Sequence, residues 1–176
     1  LMRIVRIIPS LIILLLLGSC SQSSNLGIFE ENTDIGNVTI PGSVVFDVAN
    51  KTYKVSASGK NMWADTDEFH YVWKKMSGDI SLAADITWIG QGINGHRKAC
   101  LIIRQNLDPQ SVHADIALHG DGLTSLQYRE VFGDITREVK SNVIAPKKVR
   151  IEKEGDYISI STGSKDRGLT PSGGSV

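Results

Sequence analysis

Residues 43–58, SVVFDVANKTYKVSAS, set the pattern that most of the chain repeats. Apolar side chains fall at every second position on both sides of a short polar turn at residues 49–51. Successive side chains of a strand point to opposite faces of a sheet, so a period of two gives each strand one apolar face. The stretch is therefore predicted to form a β-hairpin. Its apolar positions are Val44, Phe46, Val48, Tyr53, Val55 and Ala57.

The same alternation recurs in short segments along the rest of the chain. These segments are EFHYVWKKM, DISLAADITWI, KACLIIRQ, VHADIALH, SLQYREV, ITREVKS, KVRIEK and YISIST. Turn-forming residues separate several of them, as at Asp108-Pro109 and Glu154-Gly155-Asp156. With the hairpin they make about ten strands, without an amphipathic helix. This pattern predicts a sandwich or barrel of antiparallel sheets, and the lack of a repeat at a fixed period disfavours a propeller.

The amino end has the features of a secretory signal. Arg3 and Arg6 precede an apolar stretch at residues 7–17, which is followed by the small residues Gly18 and Ser19. A helix needs about 20 apolar residues to cross a bilayer, so this stretch is too short to span one. Residues 1–19 are therefore predicted to be a signal peptide.

Leu17-Gly18-Ser19-Cys20 resembles the lipobox of bacterial lipoproteins. The resemblance implies that Cys20 is acylated and becomes the first residue of the mature chain. Several acyl chains, at about 0.8 kcal/mol for each buried methylene, would then hold the protein on a membrane. Ser21 after the cysteine implies sorting to the outer membrane, so the expected location is the cell envelope. The alternative is an ordinary secretory signal with a cysteine close by.

Composition favours one ordinary domain without a nucleic-acid partner. The chain has 19 basic and 19 acidic residues, and removal of Arg3 and Arg6 leaves 17 against 19. No basic stripe with interleaved aromatic residues occurs, so no nucleic acid is expected as a partner. Acylation of Cys20 would leave Cys100 unpaired, and its position in the apolar run KACLIIR predicts a buried, inert thiol.

The domain boundaries follow from a change in composition. Residues 20–42 are rich in Ser, Asn, Gly and acidic residues, show no periodicity and end at Pro41-Gly42. They are predicted to be a flexible tether, followed by a single domain at residues 43–176. Residues 161–176, STGSKDRGLTPSGGSV, have the composition of a loop. A closed sandwich would continue with one or two more strands, so we expect this domain to be incomplete at its carboxyl end.

Four segments of the chain resemble a bacterial family of concanavalin A-like, laminin-G-like jelly-roll modules. They are SGKNMW, DEFHYVWKKMSGD, IRQNLDPQSVHADIALHGDG and LQYRE, and the resemblance extends over residues 43–162. It implies a two-sheet antiparallel jelly-roll sandwich with a concave face, and it does not imply a reaction. Some members of the family form the amino-terminal module of periplasmic Tol-like propeller proteins, and others lie beside glycoside-active domains.

The motifs that would indicate catalysis are missing from the sequence. Retaining glycosidases need two carboxylates about 5–5.5 Å apart, and laminarinase-type enzymes of this fold carry them as Glu-x-Asp-x-(x)-Glu on one strand. The chain has no such motif, and it has no P-loop or HExxH pattern. Its acidic clusters at residues 65–68 and 152–156 are predicted to be solvated surface. Catalysis is therefore disfavoured.

Metal binding is only weakly indicated. His113 and Asp115 share one face of SVHADIALH, and His119 lies near its end. Strand side chains at i and i+2 are about 7 Å apart, which is long for chelation, so no transition-metal site is predicted. A structural calcium ion could use Asp108 or Asp121, although both residues are also typical turn formers. No other cofactor is expected.

Polar residues in phase on neighbouring strands indicate a ligand-binding face, and an exposed aromatic ring beside them would suit a sugar. The candidate ligand-binding residues are His70, Arg104, Asp115, Gln127, Arg129 and Trp63. Trp73 and Trp88 are in phase with apolar neighbours and are predicted to lie in the core, whereas Trp63 lies in a loop. Arg104 has a structural alternative, an ion pair with Asp115 on the next strand.

The sequence thus predicts a non-catalytic envelope lipoprotein module that binds a ligand on a concave sheet face. A glycan is the first candidate ligand, and an envelope protein is the second. Two alternatives stay open. One is a glycoside-active enzyme, and the other is the amino-terminal accessory module of a Tol-like propeller protein, cut short in this chain.

Overall fold

The computed structural model describes residues 25–164 and 168–176, so Cys20 and the predicted signal peptide lie outside the described residues. Twelve strands form within them: β1 Glu31–Ile35, β2 Ser43–Asp47, β3 Thr52–Ser56, β4 Phe69–Trp73, β5 Ile80–Asp85, β6 Lys98–Arg104, β7 His113–His119, β8 Thr124–Arg129, β9 Arg137–Lys140, β10 Lys148–Glu154, β11 Tyr157–Gly163 and β12 Thr170–Ser175. In the same residues we find no helix with the length and hydrophobicity needed to cross a membrane.

Two four-stranded antiparallel sheets make up the body of the protein. Sheet I has the strand order β6-β7-β8-β9, and sheet II has the order β12-β11-β10-β5. Two smaller pairs, β1-β4 and β2-β3, complete the described strands. The sheets form a sandwich-like arrangement, which confirms the all-β prediction and is consistent with a jelly roll.

The core lies between the inner faces of the two sheets. Alternate side chains of β7 point inward, and Ile116 among them packs with Leu126 of β8. Sheet II contributes Val149, Ile151 and Ile160, and each of these five side chains is at most 1% exposed. The alternation that predicted the strands is therefore also what builds the core.

The hairpin predicted from residues 43–58 is confirmed as β2 and β3. Phe46 pairs with Tyr53 across the two strands, and their rings stack with centroids 4.6 Å apart. The Tyr53 hydroxyl donates a hydrogen bond to the carbonyl of Leu26 and accepts one from the N–H of Ile28. The aromatic pair thus holds the hairpin against the amino-terminal segment.

The predicted tether is wrong for the residues that precede this hairpin. Glu31–Ile35 forms β1, which pairs antiparallel with β4, and Ile35 is 1% exposed. The composition of ENTDI gave no sign of a strand because Ile35 is its one apolar residue, so it has no alternation of apolar and polar side chains. The loop expected near the carboxyl end also contains a strand, since Thr170–Ser175 forms β12 against β11.

We predict that Ile116→Ala lowers the free energy of unfolding by about 2–5 kcal/mol, because it leaves a cavity between the two sheets. The control is Ile93→Ala, since Ile93 is fully exposed and its truncation should change stability little. Thermal unfolding followed by circular dichroism measures both variants. Equal melting temperatures for the two variants would contradict this location of the core.

Candidate functional site

The outer face of sheet I carries most of the residues that were predicted to bind a ligand. Arg104, His113 and Arg129 stand opposite one another on β6, β7 and β8, and in a second row Asp115 pairs with Gln127. Residues paired across antiparallel strands point to the same face, so these five side chains share the outer surface. Four of the six candidate ligand-binding residues therefore lie on one face, as their positions in the alternation predicted.

One end of this face is closed by residues 61–68, which we call the covering segment. Its Asp67 is 0% exposed and accepts hydrogen bonds from Arg129 Nη2 at 2.7 Å and Nη1 at 3.1 Å. Arg104 Nη1 lies 3.4 Å from the same carboxylate. The prediction that this acidic cluster is solvated surface is wrong for Asp67, because two buried guanidinium groups need a counter-ion.

Arg129 has no hydrogen-bonding capacity left for a ligand. It is 0% exposed, and its Nε, Nη1 and Nη2 all donate within the protein. A guanidinium has five N–H donors in a fixed plane, and such a set of partners uses them all. Besides Asp67, the acceptors are the carbonyls of Ala64, Pro109, Ser111 and Asp134 and the hydroxyl of Thr136.

Arg104 is also structural, but its predicted ion pair with Asp115 is wrong. Its Nε donates to the carbonyl of Asn106 at 2.7 Å, and its guanidinium lies 5.2 Å from the Phe69 ring centroid. Among the described residues neither Asp115 oxygen has a hydrogen-bond partner. The carboxylate that pairs with Arg104 is that of Asp67 instead of Asp115, because the covering segment lies over the strands.

Asp115 and His113 form a buried pair in which burial disfavours the charged form of each side chain. His113 Nε2 lies 3.7 Å from Asp115 Oδ2, and both side chains are 0% exposed. Desolvation raises the pKa of Asp115 to about 7 and lowers the pKa of His113 to about 4. Burial likewise raises the pKa of the neighbouring Cys100 thiol well above its ordinary value, in agreement with the predicted inert cysteine.

The other end of the outer face is an open cleft of about 230 Å³. It is lined by Asn61, Trp63, His96, Lys98, His119, Leu123, Gln127, Glu138 and Lys140. Trp63 and Gln127 were among the predicted ligand-binding residues. The Trp63 side chain is 44% exposed, so its ring is accessible from the cleft.

Lys98 lies at the centre of the cleft. Its ammonium group donates to Asn61 Oδ1 at 2.8 Å and to Gln127 Oε1 at 3.0 Å, and it lies 5.5 Å from the centroid of the Trp63 ring. An ammonium group has three donors, so one N–H remains after these two bonds. Partial burial lowers the pKa of Lys98 from its ordinary value.

A chain of hydrogen bonds leads from Glu138 to the rim of the cleft. Gln127 Nε2 donates to Glu138 Oε1 at 3.1 Å and lies 3.5 Å from His119 Nε2. An amide N–H can only donate, so we assign the proton of neutral His119 to Nδ1, which faces His96 Nδ1 at 3.3 Å. Desolvation and the nearby Lys98 lower the pKa of His119, which favours this neutral form.

His70 lies away from the cleft. Its side chain is 2% exposed, and its Nδ1 lies 2.8 Å from Asp34 Oδ1. The same carboxylate accepts the N–H of Gly42, and a side chain at Gly42 would collide with the His70 ring. His70 therefore fastens β4 to the turn before β2.

Trp88 is not a core residue as predicted, since it is 37% exposed and stacks against Arg97 at 4.9 Å. Strand β5 ends at Asp85, three residues earlier, so the alternation no longer applies at this position. Trp73 remains within β4 and is partly buried.

Neither aspartate considered for calcium has the surroundings of an ion site. Asp108 Oδ1 accepts the N–H of Gln110, and Asp121 Oδ1 accepts that of Leu123, so both act as turn formers. Within residues 25–164 and 168–176, no group of three or more His, Cys, Asp or Glu side chains is positioned to hold a metal ion.

Lys98 is the most important residue that the sequence interpretation missed. It lies two residues before Cys100 and, like Arg104, is in phase with Cys100 and Ile102, so the alternation could have indicated it. His96 lies in a loop before β6, where no periodic signal exists. Glu138 and Lys140 are on β9, and only the pairing of β8 with β9 brings them to the cleft.

Comparison with known proteins gives no relative for this chain: no family model, no curated protein and no solved structure matches it. The resemblance to concanavalin A-like modules therefore stays a prediction.

We predict that Asp67→Asn lowers the free energy of unfolding by about 3–5 kcal/mol, because it leaves two buried guanidinium groups without a carboxylate. The matched control is Asp65→Asn, since Asp65 is exposed in the same segment. Hydrogen exchange should also become faster in residues 61–67 of the Asp67 variant. Unchanged stability and exchange would contradict the role given to the covering segment.

We predict that Asp115→Asn becomes more stable relative to the unmodified protein as pH rises from about 4 to about 7. Folding raises the pKa of Asp115 from 3.8 to about 7, so the folded state keeps a proton that the unfolded chain releases, and stability falls as pH rises through this window. His113 contributes a pH dependence of the opposite sign. Its pKa of about 4 in the folded state lies below the ordinary value of 6.5, so the stability it contributes is lost as pH falls.

Chemical denaturation at a series of pH values measures the difference between the two proteins. The asparagine variant should lose the pH dependence that Asp115 contributes and keep that of His113. A stability difference that is the same at every pH would contradict a neutral buried Asp115.

Proposed function

We propose that the protein is a non-catalytic module that binds a glycan in the cleft of sheet I. The observation that carries this proposal is the Trp63 ring, 44% exposed, in a cleft that is also lined by hydrogen-bonding side chains. A sugar presents an apolar ring face and a border of hydroxyls. An accessible aromatic face next to fixed polar groups complements both.

The polar groups of the cleft suit hydroxyl recognition. Lys98 supplies an N–H donor, and Glu138 supplies carboxylate oxygens that are fixed by Gln127. A hydroxyl group both donates and accepts, so a donor and an acceptor on the same wall can engage neighbouring hydroxyls of one ring. These groups are held before a ligand arrives, which reduces the entropy that binding loses.

The dimensions of the cleft favour a single sugar unit. Its volume of about 230 Å³ is below the roughly 300–1,000 Å³ of pockets for drug-sized ligands. The rest of the outer face cannot extend the site while Asp67 holds the covering segment on Arg129 and Arg104. We therefore propose recognition of one ring, either terminal or protruding from a chain.

The carboxylates of the cleft support binding rather than glycoside hydrolysis. Hydrolysis by the common mechanisms uses two carboxyl groups on either side of the scissile bond. Of the residues that line the cleft in the described part of the chain, Glu138 is the one that carries a carboxylate. Asp115 is 0% exposed behind the covering segment and has no access to a ligand.

We place this binding activity at the bacterial cell envelope. The support is the lipobox-like sequence before Cys20, which lies outside the described residues. An acylated Cys20 would anchor the protein in a membrane, with the outer membrane as the proposed site. A soluble or surface glycan would then be the ligand that the module meets there.

We predict that Trp63→Ala weakens glycan binding about tenfold, because it removes the stacking surface. A glycan array probed with the full chain in detergent solution identifies the ligand, and titration calorimetry gives the dissociation constant. The matched control is Trp88→Ala, which removes an exposed ring outside the cleft. Failure of the folded protein to bind any glycan, or equal losses in both variants, would overturn the proposal.

A further inference from the structure

Lys98 has no direct ion pair among the described residues, although the carboxylates of Asp115 and Glu138 act on its ammonium group from a longer distance. Its ammonium group is partly buried, and its partners are the amide oxygens of Asn61 and Gln127 and the face of the Trp63 ring. Within the described residues no carboxylate oxygen lies within 4.0 Å of Lys98 Nζ. A partly desolvated cation without a counter-ion raises the free energy of the unliganded cleft.

The carboxylate of the cleft is already engaged elsewhere. Glu138 Oε1 accepts the N–H of Gln127, and its Oε2 lies 3.9 Å from Lys140 Nζ. At the rim, Asp121 lies beyond the lining residues and uses Oδ1 to accept the N–H of Leu123. Of the two lysines that line the cleft in the described residues, Lys98 is therefore the one without a carboxylate oxygen within 4.0 Å.

We propose that the ligand is a sugar ring with an anionic substituent, and that this substituent binds Lys98 while the ring stacks on Trp63. This inference rests on the proposed glycan-binding function and names the chemical class of its ligand. A carboxylate or sulfate oxygen accepts the remaining N–H of Lys98 and supplies the missing counter-charge. A charge-assisted hydrogen bond of this kind is about twice as strong as a neutral one.

The two features must act on the same ring. Lys98 Nζ lies 5.5 Å from the centroid of Trp63, so an anionic group on Lys98 starts at the edge of the stacking surface. The carboxylate of a uronic acid and the ester of a sulfated sugar both project from the ring in this way. The negative charge in the lining of the cleft is that of Glu138, and Lys140, whose Nζ lies 3.9 Å from Glu138 Oε2, reduces its repulsion of an anionic ligand.

The test is an NMR titration of the full chain in detergent solution. The probes are methyl glycosides in three forms: the neutral sugar, its uronic acid and its 6-sulfate, in the gluco, galacto and manno series. The indole N–H signal of Trp63, assigned with Trp63→Phe, reports binding at the cleft itself. We expect at least one anionic form to bind about tenfold more tightly than its neutral parent.

Lys98→Gln should bring this ratio close to one, because it keeps a hydrogen-bond donor and removes the charge. Lys98→Arg should retain the preference. The matched control is Lys148→Gln, which removes a lysine of sheet II that pairs with Asp85 at 3.4 Å and should leave the ratio unchanged. Circular dichroism verifies that every variant is folded.

The outcomes separate this inference from the function on which it rests. A preference for the uronate, for the sulfate or for both that is lost in Lys98→Gln supports the inference and identifies the anionic group. Equal binding of neutral and anionic forms overturns the inference and leaves glycan binding in place. No response of the Trp63 signal to any sugar, in a folded protein without a glycan-array hit, overturns both.

Discussion

The ion pair between Asp67 and Arg129 is the constraint on which the outer face of sheet I depends. Both side chains are fully buried, with Arg129 Nη2 2.7 Å from Asp67 Oδ1. Arg129 stands on β8 and Asp67 lies in the covering segment, so their contact fastens a long connection onto the sheet. Because further donors of Arg129 reach two other loops, at residues 109–111 and 134–136, one guanidinium holds three loops together at a single point on β8.

The sandwich itself was predictable because a strand with one face buried between two sheets has apolar residues at every second position of its sequence. Hairpins such as β2-β3 and the inward side chains of β7 follow from alternation alone. β1 and β12 escaped prediction for a related reason. Both are short, polar or glycine-rich strands with one fully buried position each, Ile35 in β1 and Ser172 in β12, so neither shows an alternation of apolar side chains, and both pair through the backbone with β4 and β11.

The candidate site was only half predictable. Phase within a strand gives the face on which Asp115, Gln127 and Arg129 lie, and this part agrees with the structure. Whether a face is open or covered depends on a segment that lies elsewhere in the sequence, and the polar turn containing Asp67 has the composition of exposed surface. A buried charge is recognisable only from its partner, and Asp67 is separated from Arg129 by 62 residues.

The ionisable side chains at the two ends of the outer face of sheet I have different surroundings, and this difference is relevant to the proposed function. Beneath the covering segment Asp67 and Arg129 form an ion pair, whereas burial shifts the pKa values of Asp115 and His113 toward their neutral forms. Neutralisation is what burial demands where no water or ligand can enter. At the open end, Lys98 Nζ contacts two amide oxygens and an aromatic face, without a carboxylate of the described residues within ion-pair distance. The two ends therefore differ in that the covered end supplies its own counter-ion for a buried cation, whereas the open end leaves a cation accessible to the anionic ligand proposed above.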